Sequence, residues 1–148
     1  MTRISHRFET DCPPEKLWSA LSDLIAVSAY NPGVTRARLV GSQSSSTGAM
    51  RECDVLPKGK VRERVIAWEE GKAVGIEVTE SDWPITYMRW TTRLSPLGNG
   101  SRIDQDLDYG MKFGPLGWLL NQLVMRRTLE KNVGVALKGM IAHAESLK

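Results

Sequence analysis

Apolar and polar residues alternate along much of this chain. In residues 3–10, RISHRFET, the side chains of Ile4, His6 and Phe8 share one side and the charged residues share the other. A period of two is typical of a β-strand with one buried face. Comparable stretches predict six further strands, at residues 34–41, 49–55, 61–68, 73–79, 85–95 and 101–113.

Two regions depart from this alternation and predict helices. Residues 11–23, DCPPEKLWSALSD, place Pro14 where a helix tolerates proline best, and a short helical piece follows until Asn31-Pro32-Gly33 stops it. From Pro115 to about Ser146, apolar residues recur at helical spacing and predict one long helix. The apolar positions of that helix are Leu119, Leu123, Leu129, Val133, Leu137 and Met140/Ile141.

The connections between the predicted strands decide the fold class. They are too short for crossover helices, so the strands form an antiparallel sheet. The order is one strand, two short helices, six strands and one long helix, which is an α+β arrangement. A curved sheet with a helix across one face leaves a space between the two.

Turn signals predict which residues face each other across the sheet. A two-residue turn at Asn99-Gly100 is the strongest hairpin signal in the chain. It predicts the inward pairs Leu94–Gln105, Thr92–Leu107, Trp90–Tyr109 and Met88–Met111, and the outward pair Arg93–Asp106.

The other two hairpins bring charged residues to the inner face. A turn at Glu70-Gly71 predicts the pairs Ala67–Val74, Val65–Ile76 and Glu63–Val78. A loop at residues 56–60 predicts the pairs Val55–Val61, Cys53–Glu63 and Arg51–Val65. Arg51 then lies diagonally from Glu63, within reach of its long side chain.

The predicted inner face is therefore apolar with a few polar exceptions: His6, Arg51, Glu63, Gln105 and the tip of Tyr109. A mostly apolar lining with a few placed polar groups is typical of a small-molecule pocket. Purely structural roles explain the same residues equally well. The apolar positions could form the core, His6 could be a hydrogen-bonded core histidine, and Arg51 and Glu63 could form a buried structural ion pair.

Several segments, in this order, resemble the SRPBCC superfamily, also called START-like, Bet v 1-like or polyketide cyclase/dehydrase-like. They are FETDCPPEKLWSALSD, YNPGV, GAMRECDV, VRERVIAWEEGKAVGIEV and LSPLGNGSRIDQDLDYGMKFGPLGWLLNQLV. The resemblance covers essentially the whole chain. It implies a helix-grip fold, in which a seven-stranded curved antiparallel sheet wraps around a long C-terminal helix, with two short helices between strands 1 and 2. A glutamate matching Glu63, in RERV, belongs to the family's pattern, although the family has no universal catalytic motif.

The resemblance also implies a cavity that binds lipids, polyketides or other small apolar molecules. Together with the strand faces, it predicts that the ligand contacts His6, Phe8, Arg51, Glu63, Val65, Ile76, Met88, Trp90, Gln105, Tyr109, Met111, Leu119, Leu123 and Arg126. Phe113 is expected at the inward end of the last strand. Leu119, Leu123 and Arg126 are expected to face the ligand from the long helix.

Composition narrows the remaining possibilities. A length of 148 residues predicts one domain, residues 1–148. The net charge of +3 comes without a concentrated basic footprint, so a nucleic-acid partner is not expected. The run Phe113–Met125 is too short to cross a bilayer and ends at Arg126-Arg127. The start of the chain lacks the apolar core of a signal peptide, which predicts a cytoplasmic protein.

The sequence contains no motif typical of a cofactor or metal site. Cys12 and Cys53 have no cysteine or histidine partner at metal-ligand spacing, and two cysteines make no disulfide framework. No phosphate-cradling glycine loop or nucleophile motif is present, so neither a cofactor nor a metal is expected.

Three functions follow as hypotheses. The first is binding or carriage of a small hydrophobic molecule by a monomer or homodimer. The second is a polyketide cyclase or dehydratase in which His6 or Glu63 moves a proton. The third is a regulatory interaction module that uses Trp83, Trp118 and the GPLGWLL corner.

Overall fold

A computed structural model describes residues 2–147, and its centre is one antiparallel sheet of seven strands. The strands are β1 (Thr2–Thr10), β2 (Val34–Val40), β3 (Met50–Val55), β4 (Lys60–Glu69), β5 (Ala73–Ser81), β6 (Ile85–Leu97) and β7 (Gly100–Met111). Their order across the sheet is β1-β7-β6-β5-β4-β3-β2, so β1 and β2 form the two edges.

Helices cover the inner face of this sheet. Two of them, α1 (Pro14–Ser22) and α2 (Val27–Tyr30), join β1 to β2 with a short 3₁₀ turn between them, Leu24–Ala26. The C-terminal helical segment consists of α3 (Gly114–Leu120), a π turn (Asn121–Met125) and α4 (Arg126–Ser146). Leu137 and Met140 of α4 are buried in the main hydrophobic cluster. This arrangement confirms the predicted helix-grip fold.

The alternation in β1 has a clear physical basis. Ile4 is buried in the core, while the intervening side chains point outward and bond to acidic residues of β7. Arg3 bonds Asp108, Ser5 bonds Asp106 and Arg7 bonds Asp104, at 2.8, 2.6 and 2.7 Å. Cross-strand pairs of this kind fix the register, because a slip of one residue would turn every apolar side chain toward water.

The β6–β7 hairpin corrects the predicted register by two residues. Leu94 lies opposite Ile103, Thr92 opposite Gln105, Trp90 opposite Leu107, Met88 opposite Tyr109, and Arg93 opposite Asp104. The turn residues are Gly98-Asn99 instead of Asn99-Gly100, and Gly98 has a φ of +59°. Glycine in this conformation at the first turn position is typical of a type II′ turn. A shift of two leaves each side chain on its predicted face.

The β3–β4 hairpin is also displaced by two residues from the prediction. Arg51 lies directly opposite Glu63, not diagonal to it, and Cys53 lies opposite Val61. The loop closes early because the N–H of Val55 donates to the carbonyl of Gly59 at 3.0 Å, with Gly59 at a φ of +116°. The two charged side chains are thus closer than the sequence predicts.

The β4–β5 register is confirmed in part. Val65 lies opposite Ile76 and Glu63 opposite Val78, as predicted. Ala67 lies opposite Gly75 instead of Val74, because an irregularity between Val65 and Ala67 changes the register toward the turn.

Candidate ligand-binding cavity

A cavity of about 180 Å³ lies between the inner face of the sheet and α4. Its apolar wall includes Ile76, Met88 and Trp90 from the sheet and Leu129, Val133 and Leu137 from α4. Helix α2, the turn after it and the start of β2 contribute Tyr30, Asn31 and Val34, and the β5–β6 connection contributes Trp83. The space that the sequence predicts between sheet and helix is therefore present.

The cavity brings together some of the predicted ligand-contact residues. Those in its lining are Arg51, Glu63, Ile76, Met88, Trp90 and Gln105. Those outside its lining are His6, Phe8, Val65, Tyr109, Met111, Leu119, Leu123 and Arg126.

Arg51 and Glu63 form a buried ion pair in the cavity wall. Nε of Arg51 donates to Oε1 of Glu63 at 2.6 Å, and the two residues are only 6% and 7% exposed. Nη1 of Arg51 also donates to the carbonyl oxygen of Leu24 at 2.7 Å. Burial is the largest single effect and opposes the charged form of Arg51, but the charge and hydrogen bond of Glu63, together with the nearby Cys53 and Tyr30, outweigh it and raise the pKa of Arg51 above its usual value.

Cys53 adds a thiol to this pair. Its Sγ donates to the same Oε1 of Glu63 at 3.7 Å. Burial, reinforced by the charge of Glu63, raises the pKa of the Cys53 thiol to about 12. The thiol therefore stays protonated near neutral pH, which makes Cys53 a weak hydrogen-bond donor instead of a nucleophile.

Tyr30 stands at the same end of the cavity and was missed at the sequence level. Burial raises the pKa of its hydroxyl, and the charge of Arg51 partly offsets this effect. Because Gly139 has no side chain, α4 can pack closely against the end of α2; a Cβ atom at this position would lie 2.1 Å from the carbonyl oxygen of Tyr30. Among residues 2–147, none forms a hydrogen bond with the Tyr30 hydroxyl.

A second polar group lies on the sheet wall. Oγ1 of Thr92 donates to Oε1 of Gln105 at 2.7 Å, across the β6–β7 pair. Both side chains line the cavity. Thr92 and Gln105 thus satisfy each other, as buried polar groups must be satisfied to avoid a desolvation cost.

His6 occupies a different place from the one that a pocket acid or base requires. Its ring stacks near Phe8, with 6.2 Å between the ring centroids, and a Cβ atom on Gly134 of α4 would lie 3.6 Å from its Nε2. Its Nδ1 is buried without a hydrogen-bond partner in the described chain. His6 is wedged between β1 and α4 and does not line the cavity.

Tyr109 turns its hydroxyl away from the cavity. The hydroxyl donates to Oδ1 of Asn121 in the π turn, and Nδ2 of Asn121 donates to Oγ1 of Thr2 at 3.1 Å. Asn121 is 4% exposed. The sequence showed this asparagine only as an interruption of an apolar run, yet it joins the start of the C-terminal segment to β7 and β1.

The prediction that Leu119, Leu123 and Arg126 face the ligand space is wrong. The buried side of this segment runs through Gly117, Asn121 and Leu129, at multiples of four residues. Leu119 and Leu123 lie two residues off that line and are 47% and 63% exposed, and Arg126 is exposed as well. Phe113, predicted to point inward, is 64% exposed, because β7 ends at Met111 and Phe113 has a φ of +74°.

The described residues form neither a membrane-spanning helix nor a metal-binding cluster. Residues 2–147 contain no helix that is both long and apolar enough to cross a membrane. They also contain no cluster of three histidine, cysteine, aspartate or glutamate side chains suited to a metal ion.

Solved structures with the same fold span nearly the whole chain. The Zhui aromatase/cyclase from Streptomyces sp. R1128 has a TM-score of 0.84 at 13% identity, over 97% of this chain and 93% of that one. A protein of Thermus thermophilus has a TM-score of 0.83 at 19% identity, over 98% of both chains. A START superfamily protein from Mycobacterium smegmatis has a TM-score of 0.77 at 20% identity, over 95% and 97%. At these identities the likeness is one of fold.

Sequence comparison identifies the family. No curated protein matches the chain in sequence. The sequence profile of the family described as "Polyketide cyclase / dehydrase and lipid transport" matches residues 1–145. The chain therefore belongs to this family, within the SRPBCC superfamily that its motifs resemble.

Proposed function

We propose that the protein binds and carries a small hydrophobic molecule whose apolar body is about the size of one or two aromatic rings and which has a hydrogen-bond acceptor. The observation that supports this most directly is the cavity of about 180 Å³, with mostly apolar walls and a charged pair at one end. An apolar cavity of about 150 Å³ is enough to hold a benzene molecule.

The polar end supports a ligand with an acceptor group. Nε and Nη1 of Arg51 are bonded to Glu63 and Leu24, while Nη2 has no partner among the described residues. The hydroxyl of Tyr30 lies near the same charges. A carbonyl, hydroxyl or carboxylate oxygen in this position would accept hydrogen bonds while the rest of the ligand contacts the apolar wall.

The candidate acid and base groups either already have hydrogen-bond partners or lie outside the cavity, and this favours carriage over catalysis. Oε1 of Glu63 is held by Arg51, and the Tyr109 hydroxyl is held by Asn121. His6 lies outside the cavity lining. Groups that already have partners orient a ligand well, but they are poorly placed to accept a proton from it.

A cyclase or dehydratase is the second candidate, and one observation favours it. Oε2 of Glu63 accepts no hydrogen bond within residues 2–147, so this oxygen could take a proton from a bound polyketide-like chain. The match to a family that includes polyketide cyclases agrees with such a role. Glu63→Gln would then abolish turnover of a polyketide-like substrate while leaving its affinity nearly unchanged.

Binding can be tested with 2-naphthol, which has two fused rings and one hydroxyl. Ala136 lines the cavity and Ala142 is exposed on the same helix. We expect Ala136→Phe to fill the cavity and weaken 2-naphthol binding about tenfold or more, with Ala142→Phe as the matched control at the native affinity. Isothermal titration calorimetry measures both.

Native mass spectrometry of protein from its own host provides an independent readout, because a carried molecule should co-purify. If 2-naphthol does not bind saturably and no hydrophobic molecule co-purifies, carriage is contradicted. Equal loss of affinity in the two phenylalanine variants would show that 2-naphthol binds elsewhere on the protein.

A further inference from the structure

The start of the C-terminal segment exposes large apolar side chains. Leu116 is 68% exposed, Phe113 64%, and Trp118 and Leu123 are each 63% exposed. We name the following set the apolar cap: Phe113, Leu116, Trp118, Leu119, Leu123 and Val124. Other exposed apolar residues, such as Ile25, Ile66 and Leu97, stand singly along the sequence. A concentration of this kind marks an interaction surface.

The charges around the cap have one sign. Lys112 precedes it, Arg126 and Arg127 follow it, and no acidic residue occurs between Asp108 and Glu130. The side chains of Lys112, Arg126 and Arg127 are exposed and form no ion pair with a carboxylate of the described residues. The partner that fits this rim is therefore anionic.

We propose that the apolar cap docks the protein onto a membrane surface that contains anionic lipids. A short helix with tryptophan, phenylalanine and leucine and with flanking basic residues has the composition of an interfacial segment. Trp118 suits the headgroup boundary, and the three cations suit the negative surface potential. Helix α3 and the π turn together would lie along the surface, with the apolar cap in the outer part of the bilayer.

A second copy of this chain fits the cap less well. In a two-fold dimer the same patch meets itself, so each cap would bring its own basic rim to the basic rim of its partner. Such a contact gathers like charges around the buried surface without a carboxylate to pair them. An anionic lipid surface covers the apolar side chains and neutralises the rim together.

The cap adjoins the cavity. The N–H of Lys112 donates to the carbonyl of Pro84 at 3.0 Å, and the neighbouring Trp83 lines the cavity. Met125, in the π turn, packs in the same cluster as Trp83. A docked protein would thus hold this side of the cavity near the bilayer, where hydrophobic molecules partition. This last consequence rests on the proposed carriage, whereas docking itself does not.

Vesicle flotation tests the docking. Phosphatidylcholine vesicles, with and without phosphatidylglycerol, are mixed with the protein at low and high salt. We expect binding to the phosphatidylglycerol vesicles and weaker binding at high salt. The triple variant Trp118→Ser/Leu119→Ser/Leu123→Ser should bind about tenfold less or worse. The matched control, Ile25→Ser/Ile66→Ser/Leu97→Ser, removes three exposed apolar side chains that lie outside the cap and should bind as the native protein does.

The charged rim has its own variant. Arg126→Gln/Arg127→Gln should weaken binding to phosphatidylglycerol vesicles by roughly fivefold per removed charge and reduce its salt dependence. Circular dichroism and the 2-naphthol titration in vesicle-free solution show whether each variant is folded. Unchanged 2-naphthol affinity with lost flotation supports docking independently of carriage. Intact flotation with neither 2-naphthol binding nor a co-purifying hydrophobic molecule contradicts carriage alone.

Three results would overturn the docking proposal. The first is absence of flotation with either vesicle. The second is equal flotation of the native protein and the cap variant. The third is a native dimer in sedimentation velocity that the cap variant converts to a monomer, because a second copy would then cover the cap.

Discussion

Two arginine–glutamate pairs occupy consecutive positions of the same two strands and point in opposite directions. Arg51 of β3 lies opposite Glu63 of β4, and Glu52 of β3 lies opposite Arg62 of β4. The first pair faces the cavity and is buried. The second faces outward, where the side chains of Arg62 and Glu52 are 43% and 15% exposed. Two ion pairs of the same composition, one residue apart, therefore lie in different environments: one in the protein interior and one at the surface.

The difference shows where the desolvation of charged groups is costly. On the outer face, Glu52 accepts hydrogen bonds from Arg62 and Arg38, but water screens these charges and the contacts contribute little. On the inner face, the desolvation cost of two charges is large, and an apolar pair of similar volume is often as stable or more stable. The proposed role in orienting a ligand gives a reason for a charged pair on the inner face that stability alone does not give.

Removal of one inner charge should have the largest effect. Glu63→Gln leaves the guanidinium of Arg51 buried without its counter-charge, and we expect the free energy of unfolding to fall by about 3–5 kcal/mol. Glu52→Gln is the matched control on the outer face and should cost far less. Urea denaturation of both variants at neutral pH measures the difference. Similar losses in the two variants would show that the two pairs do not differ as their burial predicts.

Replacing both inner charges should separate stability from binding. Arg51→Met/Glu63→Leu leaves no unpaired charge, so we expect most of the stability lost in Glu63→Gln to return. The affinity for 2-naphthol should still fall about tenfold, because a hydrogen bond to a charged group contributes about 1.5 kcal/mol. Calorimetry provides the affinity and urea denaturation the stability. Native affinity in the double variant would reduce the inner pair to a structural role.

The faces of the sheet were predictable from the sequence, although the registers of two hairpins were not. The turn at Gly98-Asn99 and the early closure at Gly59 each moved the pairing by two residues. Because side chains alternate with a period of two, Arg51 and Glu63 still reached the inner face. A register error of two residues therefore changes the distances between side chains on the inner face, but not which side chains face inward.

The C-terminal segment could not be predicted in the same way. Residues 116–124 are apolar on nearly every side, so their hydrophobicity does not indicate which side is buried. The packed side is formed by Gly117 and Asn121, a residue without a side chain and a polar one. Tyr30 was missed for a related reason: it reaches the cavity through the packing of α2 on α4, which local sequence does not encode.

Acid titration of the outer pair should give the smallest effect. Hydrogen bonds from Arg62 and Arg38 lower the pKa of Glu52 from its usual value of 4.5 to about 2 in the folded chain. A lowered folded-state pKa adds stability above the unfolded-state pKa, and this stability is lost as the pH falls from about 4.5 to about 2. The difference in unfolding free energy between the native protein and Glu52→Gln should therefore be constant above about pH 6 and shrink in acid. Urea midpoints across this range measure it, and parallel curves for the two proteins down to about pH 2 would show that Glu52 gains nothing from its arginines.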